Sequence, residues 1–217
     1  MKKVIKVGLM ALMVFAFSAC EEITEKSAVV KTVKIGSQIW MAENLNDASK
    51  GGKCYDDKLE NCEKYGRLYT WAEAVKACPT GWHLSKYSEW NALQDFVAGS
   101  ERKYSVSGGK LKAKNGWDAH EGKSGNGTDE YGFSALPGGI SNGSVFDAVG
   151  GGGFWWSVLE TSADSAHANM PKLLATLPPN TDPASNAYFF MMGKGTSNIA
   201  HSTVLKSAML SLRCVKD

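Results

Sequence analysis

The chain has 217 residues, of which 43% are hydrophobic and 21% charged, and its formal net charge is +2. This length and apolar content suffice for one sizeable core, and no internal repeat is visible. The basic excess belongs to the first nineteen residues: without them 21 basic residues stand against 22 acidic ones, and the formal charge is −1. Such a balance gives no basic surface, so nucleic acid is not expected as a partner.

The first nineteen residues have the composition of a secretory leader. Lys2, Lys3 and Lys6 are followed by an uncharged apolar run that is too short for a permanent membrane span. The stretch FSAC, residues 17–20, resembles a lipobox, and the bulky Phe17 does not suit an ordinary cleavage site. These features predict cleavage after residue 19 and acylation of Cys20, with an ordinary secretory leader as the alternative.

Acylation of Cys20 would place the protein in the cell envelope. A multiply acylated cysteine makes a stable membrane anchor, whereas a single chain binds only marginally. We therefore expect a lipid-anchored protein outside the cytoplasm, at the outer membrane or the cell surface. Residues 1–19 are predicted to be the signal peptide, residues 20–31 a polar tether, and residues 32–217 one domain.

The remaining cysteines are Cys54, Cys62, Cys78 and Cys214. An even number of cysteines in an exported chain predicts disulfides, and four cysteines allow three pairings. Cys54 and Cys62 bracket a short polar loop whose closure is easy, which leaves Cys78 for Cys214. A zinc site is the rival interpretation, but there is no CxxC spacing and the compartment is oxidising.

The first elements of the mature chain read as a hairpin and a short helix. TVKIGSQIWM, residues 32–41, alternates apolar and polar residues around a Gly-Ser turn. Thr70 and Glu73 then form a capping box, and Trp71, Val75 and Cys78 share one apolar helical face.

A second helix is predicted to follow the turn at Pro79. Ser85 is a suitable N-cap, and Trp90, Leu93 and Val97 form an apolar stripe along the helix. His83 lies just before it and has no acidic or second histidine partner nearby in the sequence, which favours a structural role over a ligand role.

The second half of the chain has a different composition. Between residues 105 and 153 lie 14 of the 23 glycines, interspersed with aromatic residues. This pattern is typical of short strands and long ordered loops. The segments NAYFFMM and MLSLRCVKD then look like paired strands, and residues 171–185 like a surface excursion marked by proline.

Six separated segments together resemble one family. They are IGSQIWMAENL, YGRLYTWAEA, CPTGWHL followed by SEWNAL, GNGTDEYGFSALPGG, FWWS and SLRCVKD. In this order they resemble the motifs of the Fibrobacter succinogenes major paralogous domain, whose members are exported bacterial proteins and often lipoproteins. The chain departs from the family pattern at Ser85-Lys86, where relatives have Pro-Ser, and in a longer segment 162–185.

The family is in turn distantly similar to C-type-lectin-like domains and to the formylglycine-generating enzymes. That likeness implies an α+β fold in which two short helices flank a small antiparallel sheet with long glycine-rich loops. It also implies a disulfide from the end of the first helix to the final strand, as for Cys78 and Cys214. Fold does not imply function, however.

The expected function is non-catalytic recognition of a glycan or a protein by the loops of residues 105–154. Trp117 is a candidate for stacking on a sugar, and Asn126, Asp129 and Glu130 are candidate polar contacts. The C-type lectin signatures for calcium-dependent sugar binding do not occur, so that mechanism is not carried over. The alternatives are a structural envelope component without a small ligand and, less favoured, an oxidase like the formylglycine-generating enzymes, which needs reactive cysteines beyond those expected in disulfides.

No cofactor is expected, with calcium as the one candidate. The stretch GNGTDEYG offers oxygen ligands from Asn126, Thr128, Asp129 and Glu130. It lacks the spacing of an EF-hand, and Asx turns with glycine are common in loops. Whether the chain binds a metal therefore stays open at this point.

Overall fold

A computed structural model describes residues 30–159 and 184–217. The predictions for the leader, for Cys20 and for nearly all of the tether lie outside these residues. So does almost the whole of the segment 162–185. No helix in the described ranges is both long enough and apolar enough to cross a membrane.

The fold is mixed α+β, as expected, but it contains more elements than the two helices and small sheet that were predicted. The described residues form four α-helices: α1 (Leu59–Tyr65), α2 (Trp71–Ala77), α3 (Tyr87–Ala98) and α4 (Ser107–Leu111). The strands are β1 (Thr32–Ile35), β2 (Gln38–Met41), β3 (Tyr69–Thr70), β4 (Trp82–Leu84), β5 (Gly138–Ser141), β6 (Phe146–Val149), β7 (Gly152–Ser157), β8 (Asn186–Gly193), β9 (Ala200–Leu205), β10 (Met209–Leu210) and β11 (Cys214–Lys216).

The strands form two sheets. The smaller has the order β1-β2-β11-β4 and is antiparallel, so the last strand lies between the first hairpin and β4. The larger has the order β3-β10-β5-β7-β8-β9, with β6 paired to β5. Its β5–β7 contact is parallel and its other strand pairs are antiparallel. The sheet is therefore larger than expected and not wholly antiparallel.

The first hairpin is confirmed. β1 and β2 pair in antiparallel register with Val33 opposite Trp40. Gly36 in the turn has φ of 61°, a left-handed conformation that glycine adopts without strain.

The first predicted helix is confirmed as α2, but its buried face is partly wrong. The Glu73 carboxylate accepts hydrogen bonds from the Thr70 backbone N–H and hydroxyl, each at 2.8 Å. Val75 was expected on the buried face but is 46% exposed, whereas Ala74 and Ala77 are buried. The two small alanines let the helix backbone lie close to the sheet, and Val75 falls on the adjoining, solvent-facing side.

The second predicted helix is α3, and its N-cap was misplaced. The helix begins at Tyr87, and Ser85 is buried, with its hydroxyl accepting a hydrogen bond from the Trp90 indole at 2.9 Å. The Glu89 carboxylate instead accepts from the Lys86 N–H at 2.8 Å at the start of the helix. A buried indole N–H needs a hydrogen-bond acceptor. Ser85 is that acceptor for Trp90, and it therefore does not cap α3.

The core is built around Trp90 of α3. Its ring stacks on Phe190 of β8 with centroids 4.9 Å apart, and it meets Trp40 edge-on at 5.1 Å and Phe133 at 5.8 Å. The predicted stripe is confirmed, because Leu93 and Val97 are buried with it.

Both disulfides have the pairing given by the sequence argument. Cys54 and Cys62 have Cα atoms 4.9 Å apart, and Cys78 and Cys214 have Cα atoms 5.9 Å apart. The second bond joins the residue after α2 to the first residue of β11. All four cysteines in the described ranges are thus bonded in pairs, which leaves no thiolate for the rival zinc site.

Candidate functional site

Trp117, proposed for stacking on a sugar, lies in the core. Its side chain is 5% exposed, and its indole N–H donates to the Ala135 carbonyl at 2.9 Å. The Lys112 ammonium lies over its ring, 4.7 Å from the centroid. Trp155 and Trp156 are buried as well. The prediction of an exposed stacking face on Trp117 is therefore wrong: tertiary packing buries the ring, and the Ala135 carbonyl supplies the partner that a buried indole N–H needs.

Asn126 and Asp129 hold their own loop together. The Asn126 side-chain oxygen accepts from the Trp117 backbone N–H at 2.9 Å. Asp129, whose φ is 46°, accepts from the Ser134 N–H at 2.7 Å and from the Ser134 hydroxyl at 2.6 Å. The loop also packs against the backbone, since a Cβ at Gly127 would lie 2.3 Å from the Lys112 carbonyl oxygen. These two side chains therefore order the loop from within.

The calcium candidate gains no support from this geometry. Both oxygens of Asp129 are engaged by Ser134, and Glu130 points to Lys110. Within residues 30–159 and 184–217 no group of three histidine, cysteine or acidic side chains is arranged to hold a metal ion.

Glu130 lies on the surface beside a side chain of opposite charge. It is exposed, its carboxylate lies 3.4 Å from the Lys110 ammonium, and it accepts from the Thr128 hydroxyl at 3.2 Å. A carboxylate and an ammonium side by side offer both acceptors and donors to a polar ligand.

Next to Glu130 the structure places an aromatic pair that the sequence analysis did not single out. Phe96 of α3 is 50% exposed, and its ring meets that of the half-buried Tyr131 edge-on at 5.8 Å. The hairpin turn backs Phe96, because a Cβ at Gly36 would lie 3.0 Å from a carbon of its ring. We call Phe96, Tyr131, Glu130 and Lys110 the Phe96–Tyr131 patch.

The patch rests on the main core. Tyr131 packs against the cluster that contains Trp90 and Phe133. Phe96 lies on the exposed side of α3, between the buried Leu93 and Val97. The only signal in the sequence was that Phe96, a large apolar residue, falls outside the buried stripe of its helix. A single residue of this kind is common in short amphipathic helices, so it did not mark a site.

Lys112 was also missed by the sequence analysis. It is 2% exposed, and its ammonium donates to the carbonyl oxygens of Gly125, Gly193 and Thr196 at 2.8 to 2.9 Å. Burial lowers its pKa. Three backbone carbonyls take up all three ammonium donors, so Lys112 ties the 125–127 loop to the turn after β8.

Arg213 is the second buried cation that sequence reasoning missed. It is fully buried, and its guanidinium donates to the Asn44 side-chain oxygen at 2.8 Å, to the Met41 carbonyl at 3.0 Å and to the Phe133 carbonyl. Burial lowers its pKa to about 9, an effect that Asp129 and Glu43 partly offset. The arginine therefore links β2, the 130s loop and the last strand.

Asn44 completes this buried network. Its side-chain oxygen also accepts from the Trp155 indole at 2.8 Å, and its amide donates to the Tyr65 carbonyl at 2.7 Å. Residues of MAENL, FWWS and SLRC, three of the segments that carry the family resemblance, thus meet at one point in the core. At this point in the core, the three segments form part of the scaffold.

His83 has acidic partners, contrary to the sequence analysis. Its Nε2 lies 2.8 Å from a Glu89 oxygen and its Nδ1 2.7 Å from an Asp217 oxygen. One partner is six residues away, on the first turn of α3, and the other is brought in by β11.

His201 bonds the Tyr87 hydroxyl at 3.0 Å, and His120 lies 3.8 Å from Glu121. The three histidines in the described ranges thus have different partners and lie at separate places in the fold.

The molecule is thus an α+β domain closed by two disulfides and a buried Asn–Arg network, with polar and aromatic loops on its surface. The family model described as the Fibrobacter succinogenes major domain matches residues 33–216, and the chain belongs to this family. The comparison with curated proteins gave no match, and the comparison with solved structures gave none either.

Proposed function

We propose that this chain is a lipid-anchored protein of the cell envelope whose domain recognises a ligand without catalysis, and that the ligand contacts the Phe96–Tyr131 patch. The observation that carries the proposal is the half-exposed aromatic pair, together with the Glu130–Lys110 ion pair formed by the residue that precedes Tyr131. Apolar ring surface with adjacent donors and acceptors matches the alternating C–H faces and hydroxyls of a sugar. We therefore favour a glycan over a protein as the ligand.

The rigidity around the patch supports this assignment. Phe96 and Tyr131 project from α3 and from a loop that Asp129 fixes through Ser134. Pre-organised contact groups lose less conformational entropy when a ligand binds. A scaffold of this kind lets loops vary while the core stays constant, as recognition domains require.

We further propose that the fold is C-type-lectin-like. Support comes from the hairpin β1–β2, which pairs with the last strand β11, and from the disulfide that joins the end of α2 to β11. The helices α2 and α3 follow one another in the chain and would be the two flanking helices of such a fold. This likeness bears on architecture and carries no sugar-binding mechanism with it.

Two alternatives differ in what they require. A structural envelope component needs no ligand at the patch, so the binding experiment separates it from recognition. An oxidase like the formylglycine-generating enzymes needs reactive cysteines, and the four cysteines in the described ranges form disulfides.

The test is binding of the purified mature protein to an array of bacterial and host glycans, followed by titration of any hit. Phe96→Ala and Tyr131→Ala are expected to weaken binding at least tenfold. Val145→Ala is the matched control, because Val145 is an apolar residue that is 62% exposed, lies in the β5–β6 turn and is not part of the patch. Binding that survives both patch substitutions moves the site elsewhere, and turnover of a ligand abolished by one side-chain change would overturn the non-catalytic proposal.

A further inference from the structure

Among residues 30–159 and 184–217, no strand pairs with the outer edge of β9 in the larger sheet. β9 is the last strand in the order β3-β10-β5-β7-β8-β9, and in the described part of the chain it pairs only with β8. It is six residues long, AHSTVL, without charge, proline or glycine. Natural edge strands normally carry charged residues or proline, which prevent pairing with another strand.

The hydrogen-bond phase of the ladder shows which groups face outward. The Lys206 N–H donates to the Ser185 carbonyl at 2.9 Å, and these residues continue the register that pairs Leu205 with Asn186. Bonded and non-bonded pairs alternate in an antiparallel ladder. Residues 200, 202 and 204 therefore bond inward to β8, and the backbone groups of His201, Thr203 and Leu205 point away from the sheet.

The neighbouring ladder agrees with this assignment. The Lys194 N–H donates to the Gly151 carbonyl at 2.8 Å, which continues the pairing of Gly193 with Gly152. By the same alternation, residues 188, 190 and 192 of β8 bond to β7. Residues 187, 189 and 191 of β8 therefore bond to β9, which agrees with the bond from Lys206 to Ser185.

We propose that β9 pairs with β9 of a second copy of this chain, antiparallel and about a two-fold axis at Thr203. The outward groups are centred on Thr203, with His201 and Leu205 equally far on either side. A two-fold axis there sets Thr203 opposite the same residue of the second copy and His201 opposite Leu205. The self-complementary edge joins the two larger sheets into one continuous sheet.

The side chains allow this pairing. Opposed threonines are a favourable cross-strand pair. The nearest charge, Lys206, donates to the Ala184 carbonyl at 2.9 Å and would face Ala200 of the second copy, so that like charges are not opposed. His201 is already held by the Tyr87 hydroxyl at 3.0 Å, which keeps the edge in its strand conformation.

Cysteine cross-linking of the full chain tests the register. In the proposed pair the two Thr203 Cα atoms lie about 5.5 Å apart, within disulfide reach, so Thr203→Cys should form a disulfide-linked dimer under mild oxidation. Ser202→Cys is the matched control: Ser202 is exposed, but its two copies would lie on the order of 8 Å apart from strand spacing and rise, beyond the roughly 7 Å limit. We expect at least tenfold more dimer from Thr203→Cys, with both native disulfides retained by mass mapping.

Charge substitution at the same position tests the symmetry. Thr203→Lys and Thr203→Glu each place like charges on the axis and should sediment as monomers at concentrations where the parent associates. An equimolar mixture of the two should associate again, because opposite charges then meet. Equal cross-linking of positions 202 and 203, a monomeric Thr203→Cys protein, or its capture of a different polypeptide would each overturn the proposal.

Discussion

Arg213 and Asn44 are 169 residues apart in sequence, yet the Nε of the arginine donates to the Oδ1 of the asparagine at 2.8 Å in the centre of the core. The same oxygen accepts from Trp155, and the guanidinium continues to the Met41 and Phe133 carbonyls. A buried cation of this kind is tolerated only because its donors are satisfied. The network therefore depends on each of its members.

Asn44→Ala should destabilise the domain strongly. It removes the acceptor of the Arg213 and Trp155 donors and the partner of the Tyr65 carbonyl, and each unsatisfied buried polar group costs about 1–3 kcal/mol. We expect a loss of about 3 kcal/mol or more in the free energy of unfolding, measured by urea denaturation. Asn46→Ala, at an exposed asparagine two residues on, is the control and should change it by less than about 0.5 kcal/mol. Similar losses in both variants would contradict the network.

Lys112→Met should be nearly as harmful. The substitution keeps the length of the side chain but leaves the Gly125, Gly193 and Thr196 carbonyls without their donor. A loss of about 2–4 kcal/mol is expected, since removal of a charged partner leaves polar groups buried. Lys114→Met changes the same residue type at an exposed position and serves as the control. A stable Lys112→Met protein would show that the three carbonyls find other donors.

Interactions between neighbouring residues could be predicted from the sequence, whereas the two buried cations could not. The hairpin, the Thr70–Glu73 capping box and the Cys54–Cys62 bond follow from neighbours along the chain or from simple loop closure, and the Cys78–Cys214 bond follows by elimination. Lys112 and Arg213 were missed because an apolar environment excludes a cation unless acceptors distant in sequence converge on it. Trp117 was misassigned for a related reason: a glycine-rich loop suggests exposure, but burial of the ring was decided by tertiary packing and by the Ala135 carbonyl.

The candidate surface was only partly predictable. Glu130, named in the sequence analysis as a candidate polar contact, is exposed, and its partner Lys110 is twenty residues earlier in the chain. Phe96 becomes part of the surface because the hairpin turn at Gly36 and the loop at Tyr131 meet it in space. Neither contact has a signature in the sequence of α3.

The Glu73 carboxylate should make stability depend on acidic pH. Burial alone would raise its pKa, but hydrogen bonds from Gly52 and Thr70 outweigh burial and hold the pKa below its ordinary value of 4.5. A carboxyl group whose pKa is lowered by folding stabilises the protein above its unfolded pKa, and this contribution is lost as the pH falls through the folded pKa.

Glu73→Gln measures that contribution. The parent should exceed the variant by about 0.5–2 kcal/mol at pH 7, the range for helix caps. The difference should shrink as the pH falls below about 4.5, because protonation of the parent then removes the same charge. Urea denaturation from pH 7 to pH 3 gives the comparison, with Glu63→Gln at an exposed site as the control. A difference that does not change with pH would contradict the role of the carboxylate.

The two disulfides should contribute unequally to the free energy of unfolding. Cys78–Cys214 closes 136 residues and Cys54–Cys62 closes 8. In the chain-entropy model these loops correspond to about 5 and about 2.5 kcal/mol. Paired alanine substitution of each bond, followed by urea denaturation, should therefore show the larger loss for Cys78 and Cys214. The opposite order would mean that native packing outweighs loop entropy at one of the bonds.

Cys20→Ala should release the protein from the membrane. The proposed anchor is the acylated cysteine, each buried CH₂ of which contributes about 0.8 kcal/mol to membrane binding. Expressed in a bacterial host, the parent should partition into detergent and the variant into the aqueous phase, and mass spectrometry of the N-terminal peptide should find acyl groups only on the parent. Ser18→Ala, which keeps a small residue before the cysteine, is expected to behave as the parent. Equal partitioning of Cys20→Ala and the parent would contradict the proposed anchor at Cys20.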